Sequence, residues 1–329
     1  MRRRDFIQGI VGSAALWPIA AHAQQSDRMR HIGLLMNKDK EDPESKAEIM
    51  AFERGLVELG WKLGGNIQID YRWAAGHADL FKKYAPELVA LAPDVLVGVG
   101  GSGVGALQQA TRTLPIVFVE TTDPVNRGLV VSMAKPGGNT TGFVQFEFEL
   151  CGKWLELLKQ IAPSVSRVAV IRNPVQFSGV GELAVIQAAA ASYRVEVSPI
   201  DARDDKEIER TIIEFAHSSN DALIVTPSGA ADRNRKLIIA LAAKLRLPTI
   251  YPYRFYVTAG GLISYGPDLV SQFHAATTYV DRILKGEKAA DLAVQTPTKY
   301  ELAINLKTAK ALGITMPPPL LGRADAVIE

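Results

Sequence analysis

Gly98-Val99-Gly100-Gly101-Ser102-Gly103 spells G-x-G-x-x-G, with acidic Asp123 twenty residues beyond Gly103. A dinucleotide fingerprint follows the first strand of its domain. Here the segment follows the third apolar run, so that reading is set aside. Two remain: a tight strand-to-helix turn, or a glycine loop whose N–H groups and Ser102 hydroxyl meet an anion at a helix N-terminus. A nucleophile elbow fails, because Val104 stands where G-x-S-x-G needs its last glycine. Glu120-Thr121-Thr122-Asp123-Pro124 offers carboxylates and hydroxyls to an ammonium or a sugar hydroxyl. The plainer alternative makes Asp123 a cap for the turn before Pro124. Asn37, Asn173 with Phe177, Ser228, Tyr253-Arg254 and Tyr265 each follow an apolar run as well. Any one of those tyrosines could simply pack. Together, aromatic walls and a few polar donors describe a small-molecule cleft. The candidate set is therefore Asn37, Gly101, Ser102, Gly103, Thr121, Thr122, Asp123, Asn173, Phe177, Ser228, Tyr253, Arg254 and Tyr265.

No catalytic set, metal site or cofactor is expected. The five histidines (22, 31, 77, 217 and 274) show no ligand spacing, and Cys151 is the single cysteine. A structural zinc and an intrachain disulfide are both excluded on that count.

The elements that must position these residues alternate. Apolar or β-branched runs predict strands at 31–36, 66–71, 94–99 and 115–119, then at 167–171, 194–200, 221–225, 248–251, 262–265 and 300–305. Helical spacing predicts helices at 43–59, 78–91, 104–111, 150–161, 182–192, 204–216, 233–245, 268–284 and 306–312. Strands alternating with helices make right-handed βαβ units and mainly parallel sheets. The series restarts after Pro136-Gly137-Gly138-Asn139, so the fold class is α/β, with two doubly wound, Rossmann-like lobes. In such sheets ligands bind beyond the carboxyl ends of the strands, where the candidates lie. The triple proline at 317–319 is expected to lie as an extended surface tail.

Residues 1–23 have the build of a signal peptide: Arg2-Arg3-Arg4, an apolar, uncharged stretch from Ile7 to Ala21, and Ala21-His22-Ala23 as cleavage pattern. The paired arginines before Phe6 suggest the twin-arginine route, which places the product in the periplasm. The leader carries three arginines and one aspartate, so the formal charge of +2 falls to zero without it. A neutral surface with dispersed charge argues against nucleic acid or an anionic membrane as partner.

Several phrases together resemble one family. They are Asp123-Pro124-Val125, Lys135-Pro136-Gly137-Gly138-Asn139-Thr140-Thr141-Gly142, Gly152-Lys153-Trp154-Leu155-Glu156-Leu157-Leu158, Gly260 to Asp268, and Pro297 to Gly313. They are similar to the ABC-transporter substrate-binding proteins of the type I periplasmic binding-protein fold. The resemblance implies a two-lobe clamp joined by three hinge crossings, a small-molecule cargo, and docking on an inner-membrane ABC permease. It also implies that some relatives bind aromatic amino acids. Lobe one is then expected at 30–145 plus 267–292 and lobe two at 146–266 plus 293–329, as a monomer, with hinges near Gly142, Gly266 and residues 292–296. If the cargo is an amino acid, Ser102 would take its carboxylate and Asp123 its amine, between Tyr253 and Tyr265. The glycine loop and Asn173 to Gly181 depart from the family's usual runs, so the cargo is not carried over. A ligand-presenting sensor and an exported α/β enzyme stay open as alternatives.

Overall fold

The computed structural model describes residues 28–174, 177–201 and 205–329. The expected leader lies outside them. Lobe one is built on a parallel sheet of β1 (Arg30–Met36), β2 (Ile67–Trp73), β3 (Val95–Val99), β4 (Ile116–Thr121) and β5 (Thr140–Val144), in the order β2-β1-β3-β4-β5. Val95-Leu-Val-Gly-Val99 is buried along its whole length, as a strand covered on both faces must be. Helices α1 (Pro43–Glu58), α2 (Ala78–Ala90) and α3 (Gly100–Ala110) follow the first three strands. The start of α1 is fixed locally, with Pro43 in its first turn and the Asp42 carboxylate accepting from Glu44 N at 3.0 Å.

Lobe two repeats the arrangement. Its sheet contains β6 (Arg167–Arg172), β7 (Glu196–Asp201), β8 (Asp221–Val225), β9 (Thr249–Tyr251), β10 (Ile263–Pro267), β11 (Tyr300–Asn305) and β12 (Ala326–Ile328). The order is β12-β11-β10-β9-β8-β6-β7, and only β10 and β11 pair antiparallel. From β7 to β10 this is the same order as lobe one. Helices α4 (Leu150–Ile161), α5 (Phe177–Tyr193), α6 (Asp205–Phe215), α7 (Gly229–Arg233), α8 (Arg235–Lys244) and α9 (Arg254–Thr258) belong to this half. Helix α10 (Leu269–Leu284) returns to lobe one, where Phe273, Ala276 and Val280 join the core under β1, β3 and β4.

The chain therefore passes between the sheets three times: after β5, between β10 and α10, and between Leu292 and β11. The first and third passages are hydrogen-bonded to each other, Val144 N to Gln295 O at 2.8 Å and Gln295 N to Gly142 O at 2.9 Å. Backbone lies so close there that a side chain on Gly142 would strike the backbone of Phe118. One on Gly266 would strike the Pro252 carbonyl. Glycine is required at both crossings for space.

Several elements differ from expectation: α5 starts early, at Phe177, and α9 and β12 have no expected counterpart. Helix α3 begins at Gly100 and not Val104, so the glycines form its first turn. The expected 233–245 helix is α8, which starts at Arg235, and a separate short helix, α7, precedes it across Asn234, whose side chain bonds the Ala230 carbonyl at 3.0 Å. Strand β5 escapes the pattern because Gly142 interrupts a five-residue run. The triple proline is a correction as well: after α11 (Leu306–Leu312), Pro318 opens a short helix, α12 (Pro318–Leu321). Proline fits a first turn because its missing N–H has no partner to lose there. Leu320 is buried in the lobe-two core, and β12 then adds a parallel edge to β11.

Candidate functional site

Both sheets reverse strand order beside their first strand, β1 against β3 in lobe one and β6 against β8 in lobe two. Loops diverge at such points and leave a crevice. The two crevices face each other across a partly open cavity of about 110 Å³. Its walls come from the strand ends: Asn37 and Lys38 after β1, Gly100 to Ser102 after β3, Glu120 and Thr122 at β4. Lobe two adds Asn173 after β6, Ser178 on α5, Ser228 and Asp232 after β8, and Tyr253 after β9.

The lobe-one wall is charged. Lys38 is buried between two buried carboxylates; its Nζ donates to Glu120 Oε1 at 2.8 Å and to Glu48. Burial opposes the ammonium charge, but Glu120 and Glu48 outweigh it and raise Lys38 above the ordinary lysine value. Burial, then the Glu120 charge, pushes the Glu48 carboxyl well above its usual range. Glu120 reaches this network because the β4–β5 register slips between Phe118 and Thr121, where Glu120 takes φ 53°. A bulge of this kind re-aims a side chain. Asn37 Nδ2 donates to Glu120 Oε2 at 3.1 Å, while Asn37 Oδ1 is buried with no donor.

Arg127 lies on the other side of α3. Its guanidinium packs over the Gly101 Cα, so closely that any side chain there would collide with it. Desolvation lowers the Arg127 pKa, and its buried Nε has no acceptor among the described residues. Val99 provides no side-chain cap for α3, and its first turn carries no acidic residue. A guanidinium, offset in part by the Asp123 charge, and the positive end of a helix thus converge on one place. That place fits an anion.

The lobe-two wall is mostly neutral. Ser228 caps α7 through Ala231 N at 3.1 Å, and the Tyr253 hydroxyl accepts from Gln145 Nε2 at 2.5 Å. Beside the Arg233 guanidinium, the exception is Asp232. It accepts from the Tyr256 hydroxyl at 2.8 Å, and burial, against the pull of Lys38, raises its pKa to about 6. Above that pH it is an ionised carboxylate at the cavity, within the field of Lys38, Arg233 and Arg235.

The lobes touch directly across the mouth. Arg235 Nη1 pairs with Asp42 Oδ2 at 2.7 Å, and Arg233 Nη1 donates to the Ala75 carbonyl at 3.2 Å. Arg233 lies over Gly76, where a side chain would displace it. Ala75 and Gly76 are both in the left-handed region, at φ 46° and 72°. The cleft is closed.

Of the sequence candidates, Asn37, Gly101, Ser102, Thr122, Asn173, Ser228 and Tyr253 line this cavity. Gly103 lies one step deeper, against the Phe81 ring. Thr121 is fully buried, its hydroxyl 3.4 Å from the Val119 carbonyl. Asp123 does not face the cavity: it accepts twice from Asn126 Nδ2, at 3.0 and 2.8 Å, and lines a separate groove beside Phe146 and Glu147. It caps its turn, as the plainer reading had it. Arg254 opens α9 pointing outward, 3.9 Å from Glu301. Tyr265 stacks on Tyr300 at 6.0 Å on the lobe-two core. The side chain of Phe177 lies outside the described residues. Sequence reasoning missed Lys38, Glu120 as the inward acid of its pair, Arg127, Asp232 and Arg233. Lys38 adjoins a chosen residue, and Asp232 follows the Ser228 strand end by four positions; only Arg127 left no local signal.

A family description, ABC transporter substrate binding protein, matches residues 41–328. The tyrosine-binding protein of Clostridioides difficile is 26% identical over 287 residues, covering 87% of this chain and 82% of that protein. An ABC domain from Streptococcus pneumoniae solved in complex with L-Trp is 26% identical with a TM-score of 0.85, over 91% of this chain and 100% of that one. Against a ligand-free, open substrate-binding protein from Clostridium difficile, 23% identical over 91% and 99% of the two chains, the TM-score is 0.69. With this match spanning both sheets and a cavity between them, the chain belongs to the ABC transporter substrate-binding protein family and is a solute-binding receptor.

Proposed function

We propose that this receptor captures an α-amino acid outside the cytoplasm and hands it to an ABC permease in the membrane. One observation carries the reading: the cavity sets donors, the Arg127 guanidinium and the start of α3, apart from acceptors, Asn37 Oδ1 and the Asp232 carboxylate. Arg127 and the uncapped start of α3 call for a carboxylate, whereas Asn37 Oδ1 and the Asp232 carboxylate call for an ammonium. A zwitterion satisfies both ends at once, and the neutral donors Asn173, Ser178 and Ser228 close over it. The tyrosine- and L-Trp-binding relatives support an amino acid as the class of cargo. The composition of residues 1–23 supports export.

A thermal-shift screen tests this reading, since a ligand that binds only the native state raises the melting temperature. Amino acids should raise Tm in proportion to the logarithm of their concentration. The corresponding amines and carboxylic acids, each with half of the zwitterion, should raise it less. An amine or an uncharged sugar that outperforms every amino acid would overturn the assignment. Turnover of the bound molecule by the pure protein would replace it with an enzyme.

A further inference from the structure

We infer that the cargo is a short-chain, non-aromatic amino acid, and that this receptor excludes the tyrosine and tryptophan named for its relatives. The inference rests on the amino acid reading above and narrows it. Space is the first reason. The partly open cavity between the lobes measures about 110 Å³. A cavity of about 150 Å³ is what holds one benzene molecule. A zwitterion carrying a phenol or an indole is larger than benzene.

Wall chemistry is the second reason. Among the described residues, Phe81 and Tyr253 are the aromatic side chains at the cavity, and each is 4% exposed. Phe81 packs into the lobe-one core against Gly103. Tyr253 packs on Phe255, with ring centroids 5.3 Å apart, and its hydroxyl is held by Gln145. Neither ring pairs with the other to form a slot. Apart from Val99, Pro227, Ala230 and glycine backbone, the rest of the wall is amide, hydroxyl, carboxylate, ammonium and guanidinium, which suits a polar cargo.

An overflow space does exist, but it is the wrong kind. The groove that shares Asp232 and Arg233 with the cavity continues past Asp39, Glu41, Asp42, Arg235 and Lys236. An aromatic ring there would strip water from charges without pairing them. It would also have to pass Arg233, whose bond to the Ala75 carbonyl closes the way, and the Arg235–Asp42 pair beyond it.

The test is calorimetric titration of the dialysed wild-type protein at pH 7.5 with glycine, L-alanine and L-serine, and separately with L-phenylalanine, L-tyrosine and L-tryptophan. At least one short-chain amino acid should bind a hundredfold or more tighter than any aromatic one. An aromatic amino acid that binds as tightly as the best short-chain one overturns the inference and leaves the amino acid reading standing. If no member of either set binds but a small hydroxy acid such as L-lactate does, the amino acid reading falls and this inference with it. A cooperative thermal melt of the same sample shows that the protein titrated is folded.

Discussion

The two walls of the cleft come from sheets of the same strand order, yet they are built from different chemistry. Lobe one presents fixed charge: Lys38 locked between Glu48 and Glu120, and Arg127 laid over the start of α3. Lobe two presents short neutral side chains, with Asp232 the one carboxylate among them, behind which Tyr251, Tyr256, Phe255 and Tyr253 pack ring on ring. Charges that already hold each other in place need no rearrangement to receive an ion, so lobe one can bind first. Hydroxyls and amides lose little by waiting in water, so lobe two can close second. The same topology thus hosts a docking wall and a covering wall.

The largest effect that distinguishes the walls should be on stability. Lys38→Met leaves Glu48 and Glu120 buried without their cation, and removing one partner of a buried pair costs about 3–5 kcal/mol. Urea denaturation should show that loss in lobe one. A loss under 1 kcal/mol would mean that water or protons neutralise the carboxylates, and the wall is not preformed.

Lobe two offers the counterpart in Glu182, fully buried one helical turn beyond Ser178, with neither oxygen hydrogen-bonded among the described residues. The Thr226 hydroxyl spends its proton on the Ile171 carbonyl at 3.1 Å and so offers Glu182 no donor. Burial lifts its pKa to about 8 from an ordinary 4.5. The folded state therefore prefers the protonated form. Stability falls as pH rises from the unfolded value near 4.5, and the full cost is present above 8. Glu182→Gln should recover up to about 3 kcal/mol at pH 7 and nothing at pH 4. Equal effects at both pH values would show that packing, and not ionisation, governs the site.

Asp232 brings the pH dependence into binding. With its pKa raised to about 6, it is ionised at pH 7.5 and accepts an ammonium; protonated below 6, it does not. Affinity for an amino acid should be flat above pH 7 and fall by up to tenfold per unit below 6. Asp232→Asn should cost about ten- to a hundredfold at pH 7.5, the worth of a charged hydrogen bond at about 1.5–3 kcal/mol, and should abolish that pH dependence. A wild-type affinity that stays level to pH 5 would assign the ammonium elsewhere. The smallest effect belongs to the mouth. Arg235→Ala removes an ion pair that is 19% and 15% exposed, and affinity should drop only two- to fivefold, as for partly screened pairs. Small-angle scattering should show the unliganded variant more open than wild type.

Much of this was legible in the sequence. Val95 to Val99 and Asp221 to Val225 announce two-sided parallel strands by their composition, and restarting the rhythm after Gly138 announces two lobes. Glycine at 142 and 266 marks the crossings through the space that only glycine leaves. Strand ends located the cavity, and seven candidates line it. What failed was direction. Asp123 and Glu120 stand three residues apart, and nothing local says which carboxylate turns inward; a slip in the β4–β5 register decides it. Arg127 reaches α3 through a tertiary fold-back that no period encodes, and Pro318 starts a helix because position within the turn overrides propensity.

The central claim is that the anionic group of the cargo sits at the Gly101–Ser102 turn under Arg127, and that Asp123 plays no part. Side-by-side calorimetry of Arg127→Gln and Asp123→Ala with the best short-chain amino acid tests it most directly. Arg127→Gln should weaken binding by about ten- to a hundredfold, the range of a charged hydrogen bond, and Asp123→Ala should stay within twofold of wild type. The reverse order, with Asp123→Ala crippled and Arg127→Gln unchanged, would contradict the account and move the site to the groove beside Phe146.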